Sequence, residues 1–339
     1  MPPPVSLIVN PAAGGGRCGR LADGVERALR GHGLTVQRQH TRDLEHGRAI
    51  AATAARAGET VVVLSGDGLI GAIADELRGI SGAVLGILPG GRGNDLARVL
   101  GIAEDPIAAC ATIAHGVPTE MDLGAVLDSC SAEHGRAFVG IASAGFDSDA
   151  NRIANEAPAW LGGLAYAYAA IRALVSWKPA RFEIELDANG ERRAFTGYSV
   201  GAANSRAYGG GMRAAAEAML DDGLLEVVVL ENVRKLAFVT SVLPRVFKGT
   251  LAQLPNVHVF RAAEVTISAD RPFTMYADGD PIGELPVRVR AVPAAITVLL
   301  PPQAAIDSAF AVPPPPSVRA PEEDAGDAGL ANARRDQGR

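Results

Sequence analysis

The chain has 339 residues, 48% of them hydrophobic and 21% charged, enough to fill more than one core, so two domains and a tail are expected. A net charge of −6 and a pI near 5.6 give no electrostatic case for a nucleic-acid partner, and they leave a membrane partner undecided. Cys18, Cys110 and Cys130 lack C-x-x-C spacing, so neither a disulfide framework nor a zinc site is indicated, and the six histidines share no ligand spacing. Without a basic n-region or an apolar h-region at the start, a cytoplasmic location is expected.

Short apolar runs over 5–9, 35–38, 61–64 and 84–88 read as strands, each followed by a helical pattern, over 21–30, 45–56, 69–77 and 94–100. Four such units predict a parallel sheet covered by helices on both faces. Ligands of these sheets gather at the carboxyl ends of the strands, where the glycine-rich turns 12–16, 65–68 and 90–93 fall. From about Met121 the pattern turns to alternating strands over 181–186, 195–200, 224–230, 257–260, 265–268, 273–276, 287–290 and 296–299, predicting an antiparallel, sandwich-like domain. Helical insertions are predicted over 159–177 and 233–247; the uncharged run 157–171 is shorter than a bilayer requires and reads as a buried or interfacial helix. Beyond Val312 a proline run and a non-periodic polar mixture predict disorder. The expected division is 1–120, 121–300 and a Pro-rich segment 301–339.

Gly14, Gly15 and Gly16 open a stretch that formally fits two nucleotide motifs, but neither is completed. Arg20 and Leu21 stand where a Walker loop needs lysine and a hydroxyl, and no acid follows the second strand to hold a ribose. What remains is a turn of exposed amides suited to phosphate, preceded by Asn10-Pro11. Ser65-Gly66-Asp67-Gly68 follows an apolar strand and precedes a helix; Asp67 would repel a phosphate unless a cation such as Mg²⁺ stood between them, and its alternative is a helix N-cap. In Gly90-Gly91-Arg92-Gly93-Asn94-Asp95, Arg92 offers a forked donor to phosphate, whereas Asp95 reads better as a helix cap.

Together with Leu220-Asp221-Asp222-Gly223 and Asp278-Gly279-Asp280, these motifs occur in the order found in the diacylglycerol kinase catalytic family, which the chain resembles over about residues 5–300. That family groups bacterial lipid kinases with sphingosine and ceramide kinases and is distantly akin to NAD kinases. The resemblance implies an α/β fold: an N-terminal three-layer domain and a C-terminal β-rich domain, with ATP and substrate in the cleft between them. It assigns nucleotide binding to Asn10, Gly14, Gly15, Gly16, Thr41, Ser65, Gly66, Asp67, Gly68, Gly91, Arg92 and Asn94. It assigns the general base to Asp278, catalytic and metal roles near Mg²⁺ to Asp67 and Asp280, and a structural Mg²⁺ to Asp221 and Asp222, whose alternative is an ordinary turn. The sequence departs from the family pattern at Leu69, where threonine is usual, at Arg92, and at Ile70-Gly71-Ala72, where an Asn-Glu pair is common.

The expected activity is transfer of the ATP γ-phosphate to a lipid hydroxyl, diacylglycerol giving phosphatidate. The alternatives are another acceptor (a sphingoid base, another lipid alcohol or NAD) and a non-catalytic nucleotide or lipid sensor. A bilayer-resident substrate requires transient docking, peripheral at the inner membrane face, and basic residues flank both helical insertions. Bacterial relatives make a homodimer an expectation, although no residue argues for it.

Overall fold

The computed structural model describes residues 3–127, 135–156, 165–186, 190–302 and 309–310. Its first unit is built on β1 (Val5–Val9), β2 (Val36–His40), β3 (Thr60–Ser65) and β4 (Val84–Pro89), all parallel, in the order β4-β3-β1-β2. Every residue of β1 and β3 is buried, which explains their unbroken apolar runs: both sheet faces are covered. Helix α1 (Ala13–Gly31) buries Cys18, Ala22, Val25 and Leu29, a single stripe at helical spacing. Helices α2 (Leu44–Arg56) and α3 (Asp67–Leu77) pack on each other, and α5 (Pro106–His115), which follows the short α4 (Asp95–Val99), packs on α1. Right-handed crossovers place the first pair and the second on opposite faces of the sheet.

The second unit contains β7 (Ile141–Gly145), β8 (Ala180–Leu186), β9 (Glu191–Ala203), β10 (Leu225–Glu231), β11 (Val257–Ala262), β12 (Glu264–Ala269), β13 (Thr274–Ala277) and β14 (Asp280–Glu284), paired antiparallel. Its core gathers Phe146, Trp177, Phe182, Tyr198, Phe238 and Phe273. Helices α6 (Phe146–Asn155) and α7 (Ala165–Ser176) pack together beside it. The insertion expected over 233–247 is α8 (Lys235–Ala237), a π turn (Phe238–Val242) and α9 (Leu243–Lys248). The first residues of the insertion expected over 159–177 lie outside the described residues, as does the tail beyond 310.

The units share a ribbon. β5 (Val117–Leu127) runs antiparallel to β15 (Val287–Leu300); the far end of β15 joins β4 in parallel, its near end pairs with β12, and β6 (Arg136–Phe138) pairs with β5. The two strands expected over 287–290 and 296–299 are thus one, interrupted by a register shift between Val292 and Ile296. Early in the C-terminal segment, the Ala309 carbonyl accepts from the Leu220 amide at 2.6 Å and Phe310 is buried in the first core, because a large apolar side chain finds a place there.

Candidate active site

Three loops meet at the carboxyl ends of β1, β3 and β4. In the first, Asn10 Oδ1 accepts from the Ala12 amide at 3.1 Å, and Gly14, Gly15 and Gly16 follow with φ of 61, 65 and 83°, a left-handed run that side-chain-bearing residues resist. The loops touch backbone to backbone: a Cβ on Gly14 would lie 2.3 Å from the Gly90 carbonyl oxygen, and one on Gly91 would lie 2.5 Å from Gly66 Cα. The Gly90 amide donates to the Ser65 carbonyl at 2.8 Å. Ser65 and Thr41 are buried at the base of these loops. Asn94 spends its side chain inside the third loop, accepting from the Gly91 amide at 2.8 Å and donating to the Gly91 carbonyl at 3.2 Å. Arg92, by contrast, is exposed and makes no hydrogen bond or ion pair among the described residues.

Asp67 sits in the first turn of α3, but its carboxylate does not cap that helix. Gly66 holds the N-cap position, and Asp67 Oδ1 accepts instead from the Leu96 amide at 3.3 Å, at the start of α4. Burial raises its pKa, the amides of Asp95, Leu96 and Asn94 lower it, and the neighbouring Asp95 carboxylate raises it. Asp95 is likewise not a cap. Buried, it pairs with Arg98 at 2.8 Å and accepts from the Gly210 amide at 2.6 Å, tying the first unit to the glycine run Gly209–Gly211 of the second.

From the second unit, Asp278 enters at the β13–β14 turn with φ 51°. Its carboxylate accepts from the amides of Val139 (2.8 Å), Gly140 (2.9 Å) and Ile141 (3.3 Å). A Cβ on Gly71, in α3, would stand 3.6 Å from Asp278 Oδ2, so the carboxylate faces the first turns of the helix that carries Asp67. Burial pushes the Asp278 carboxyl up to about 6 against the three amides, and the Asp67 charge adds to the rise. Asp280, two residues on, is exposed.

The structure therefore brings Asp67 and Asp278 to one place, between the glycine loops and the second unit. Asp221 and Asp222 lie elsewhere, in the turn before β10, where the Asp222 carboxylate is ion-paired with Arg261 and also accepts from the Leu224 amide at 3.0 Å. Among the described residues no group of three His, Cys, Asp or Glu side chains is arranged to hold a metal ion. The loop amides and Arg92, unpartnered among the described residues, do fit a polyphosphate, and the Asp67 carboxylate beside the loops fits the one or two carboxylates by which a phosphate-bound Mg²⁺ is held.

Three polar residues around this site were not legible in the sequence, Asp122 and Asn204 buried and Asp147 half-buried. Asp122 accepts from the amides of Gly223 (2.7 Å) and Ala294 (2.8 Å), fixing both the 221–223 turn and the irregularity in β15; burial raises its pKa. Asn204 donates to the carbonyls of Asp122 (3.0 Å) and Val139 (3.1 Å), next to the amides that hold Asp278. Asp147 is hydrogen-bonded by the Ser143 and Ser199 hydroxyls and is pushed up to about 6 by burial; the nearby half-buried Tyr208 phenol is raised first by desolvation and then by the Asp147 charge. None has a spacing signal; the only hint is that Arg206–Gly211, a glycine-rich stretch, follows Asn204 directly.

Residues 4–126 match the diacylglycerol kinase catalytic domain, and residues 140–300 match the YegS C-terminal NAD kinase beta sandwich-like domain. A diacylglycerol kinase of Mycobacterium tuberculosis (strain ATCC 25618 / H37Rv) is 33% identical over 300 residues, covering 88% of this chain and 95% of that protein. The chain belongs to the diacylglycerol kinase family. A Klebsiella pneumoniae (strain 342) protein named a probable lipid kinase, YegS-like, is 32% identical over 255 residues, covering 72% of this chain and 78% of its own. The crystal structure of a diacylglycerol kinase from Bacillus anthracis str. Sterne has the same fold, with a TM-score of 0.66 at 17% identity, covering 88% of this chain and 97% of that one. Within this family fold, the glycine loops come from the diacylglycerol kinase catalytic domain and Asp278 from the β-rich one.

Proposed function

We propose that this family member is an ATP- and Mg²⁺-dependent lipid kinase that phosphorylates the hydroxyl of diacylglycerol, forming phosphatidate. The observation that carries the reading is the position of Asp278, half-buried against the first turns of α3 and across from Asp67. A carboxyl near pKa 6 is ionised at neutral pH yet basic enough to accept the proton of an attacking hydroxyl. ATP with Mg²⁺ supplies the transferred phosphoryl group and the cationic screening of its charge. The amides of Gly14–Gly16 and of the Ser65–Gly68 turn bind the phosphates, and Arg92 adds an exposed guanidinium. Asp67 and Asp280 are the carboxylates we assign to the metal; Asp221 and Asp222 are left out because Arg261 already neutralises Asp222. In this reading residues 1–120 carry the nucleotide and 121–300 the acceptor.

The acceptor stays in a bilayer, and one face of the second unit suits such a surface. Ile171 and Val175 of α7 and Leu236, Val239, Leu243 and Phe247 of α8 to α9 are exposed. Lys235 Nζ donates to the Val175 carbonyl at 2.6 Å, which sets the two apolar stripes side by side. No acidic residue occurs over 157–182 or 232–263, whereas Arg172, Lys178, Arg234, Arg245 and Lys248 do, so the complement is an anionic lipid surface. Among the described residues no helix is long and apolar enough to cross a membrane.

The test is transfer of labelled phosphate from ATP to a panel of diacylglycerol, sphingosine, ceramide and NAD. The expected product is phosphatidate, formed by the wild type and lost in Asp278→Asn with ATP affinity retained. Transfer only to another acceptor, or full turnover in Asp278→Asn, would refute the reading.

A further inference from the structure

Two turns beyond Asp67, α3 presents a second acidic side chain to β6 of the shared ribbon. Asp75, with only 9% of its side chain exposed, pairs with Arg48 at 3.1 Å and Arg78 at 3.0 Å. Its Oδ1 also accepts from the Ala137 amide at 2.9 Å. Ala137 belongs to β6, which among the described residues pairs only with β5, so this bond captures an amide on the strand's open edge. Arg78 reinforces the grip by donating to the Gly135 carbonyl at 2.9 Å, and Arg136 reaches the Pro281 carbonyl, just past the Asp278 turn, at 3.0 Å. β6 ends at Phe138, and the bend that follows at once, Val139–Gly140, leads into β7 at Ile141; the amides of these three residues hold Asp278.

We infer that Asp75 is a positioning residue: by fixing β6 to α3 it sets where the 139–141 amides, and through them the Asp278 carboxylate, stand relative to Asp67. The inference rests on the proposed role of Asp278. Its physical basis is that Asp67 and Asp75 share one helix, whose rise of about 1.5 Å per residue holds them roughly 12 Å apart as a rigid spacer. Both sides of the cleft are therefore measured from α3. A displacement of about 1 Å at the reacting groups is enough to cost most of the rate. Asp75 touches neither reactant, so its loss should act on turnover rather than on nucleotide binding.

Asp75→Ala removes the carboxylate nearest both Arg48 and Arg78 and can unfold the chain, so Ala137→Pro is made alongside it. Proline removes the single amide while leaving the Asp75 ion pairs in place, and an edge position tolerates it. Asp75→Asn keeps an acceptor for Ala137. Hydrogen exchange on the full chain should show the 139–141 amides exchanging about tenfold faster in Ala137→Pro and Asp75→Ala, with β1 and β3 unchanged and Asp75→Asn close to wild type. With diacylglycerol in mixed micelles, kcat should fall about tenfold in the first two variants, with KM for ATP within about twofold of wild type, and recover in Asp75→Asn. Unchanged exchange at 139–141 in Ala137→Pro, or faster exchange with kcat undiminished, overturns the inference. Absence of lipid phosphorylation by the wild type would instead sink the proposed function, and the exchange measurement would still decide whether Asp75 holds this segment.

Discussion

Replacing Asp147 by asparagine should stabilise the protein at neutral pH and leave it almost unchanged in acid. Desolvation beside Ser143 and Ser199 pushes the half-buried Asp147 carboxyl up to about 6 in the fold, against an ordinary 3.8. The folded state therefore holds the proton more tightly than the unfolded chain. As pH rises through about 4 the unfolded chain ionises while the fold does not, and stability falls until the folded group ionises near 6. Above that the penalty is constant. A rise of about two units corresponds to about 3 kcal/mol, because each unit is worth about 1.4 kcal/mol. Asparagine carries no charge, and serine hydroxyls can donate or accept, so both side-chain contacts can be kept. Thermal unfolding should show Asp147→Asn raised by about 5–10 °C at pH 8 and by almost nothing at pH 4. An equal shift at both pH values would mean that packing and not charge is responsible, and a lower Tm at pH 8 would refute the burial argument.

Arg92→Ala should leave Tm unchanged, since Arg92 has no partner among the described residues, while weakening ATP binding about tenfold or more by calorimetric titration; unaltered affinity would remove Arg92 from the phosphate site. Gly91→Ala places a methyl 2.5 Å from Gly66 Cα, backbone against backbone, and should cost about 1–3 kcal/mol in denaturant unfolding together with most nucleotide affinity. Leu236→Asp with Phe247→Asp should abolish co-sedimentation with vesicles containing phosphatidylglycerol without changing Tm, since both side chains are exposed; binding that persists would place the docking surface elsewhere.

The first unit was readable because its signals are local. Three of its four strands, β1, β3 and β4, are largely apolar runs, each helix follows within a few residues, and the glycine turns mark the strand ends where ligands gather. The ribbon of β5 and β15 was not, because its pairing joins Val117 to Leu300 and no short-range pattern announces which distant strand a residue will meet. The same holds for the acids. Asp67 and Asp278 stand between or beside glycines and declare themselves, whereas Asp75, Asp122 and Asp147 gain their meaning from amides and hydroxyls brought in from far along the chain. Asp67 shows the limit most plainly: its residue type suits a cap, but the helix it caps is the next one.

Asp278 carries two explanations that need not compete. Asp278 and Gly279, with φ of 51 and 95°, occupy the two left-handed positions of a tight hairpin turn, closed by the Ala277–Asp280 pair. Asp-Gly is favoured in such turns whatever the side chain does afterwards. A turn, however, asks nothing more of the carboxylate, and an exposed one would keep its ordinary acidity. Here it folds back instead onto three successive amides of another segment, in a place buried enough to outweigh them. Asparagine satisfies the turn as well as aspartate does and loses the basic oxygen together with one amide contact. That substitution separates the two roles, because the hairpin survives it and the proton acceptor does not.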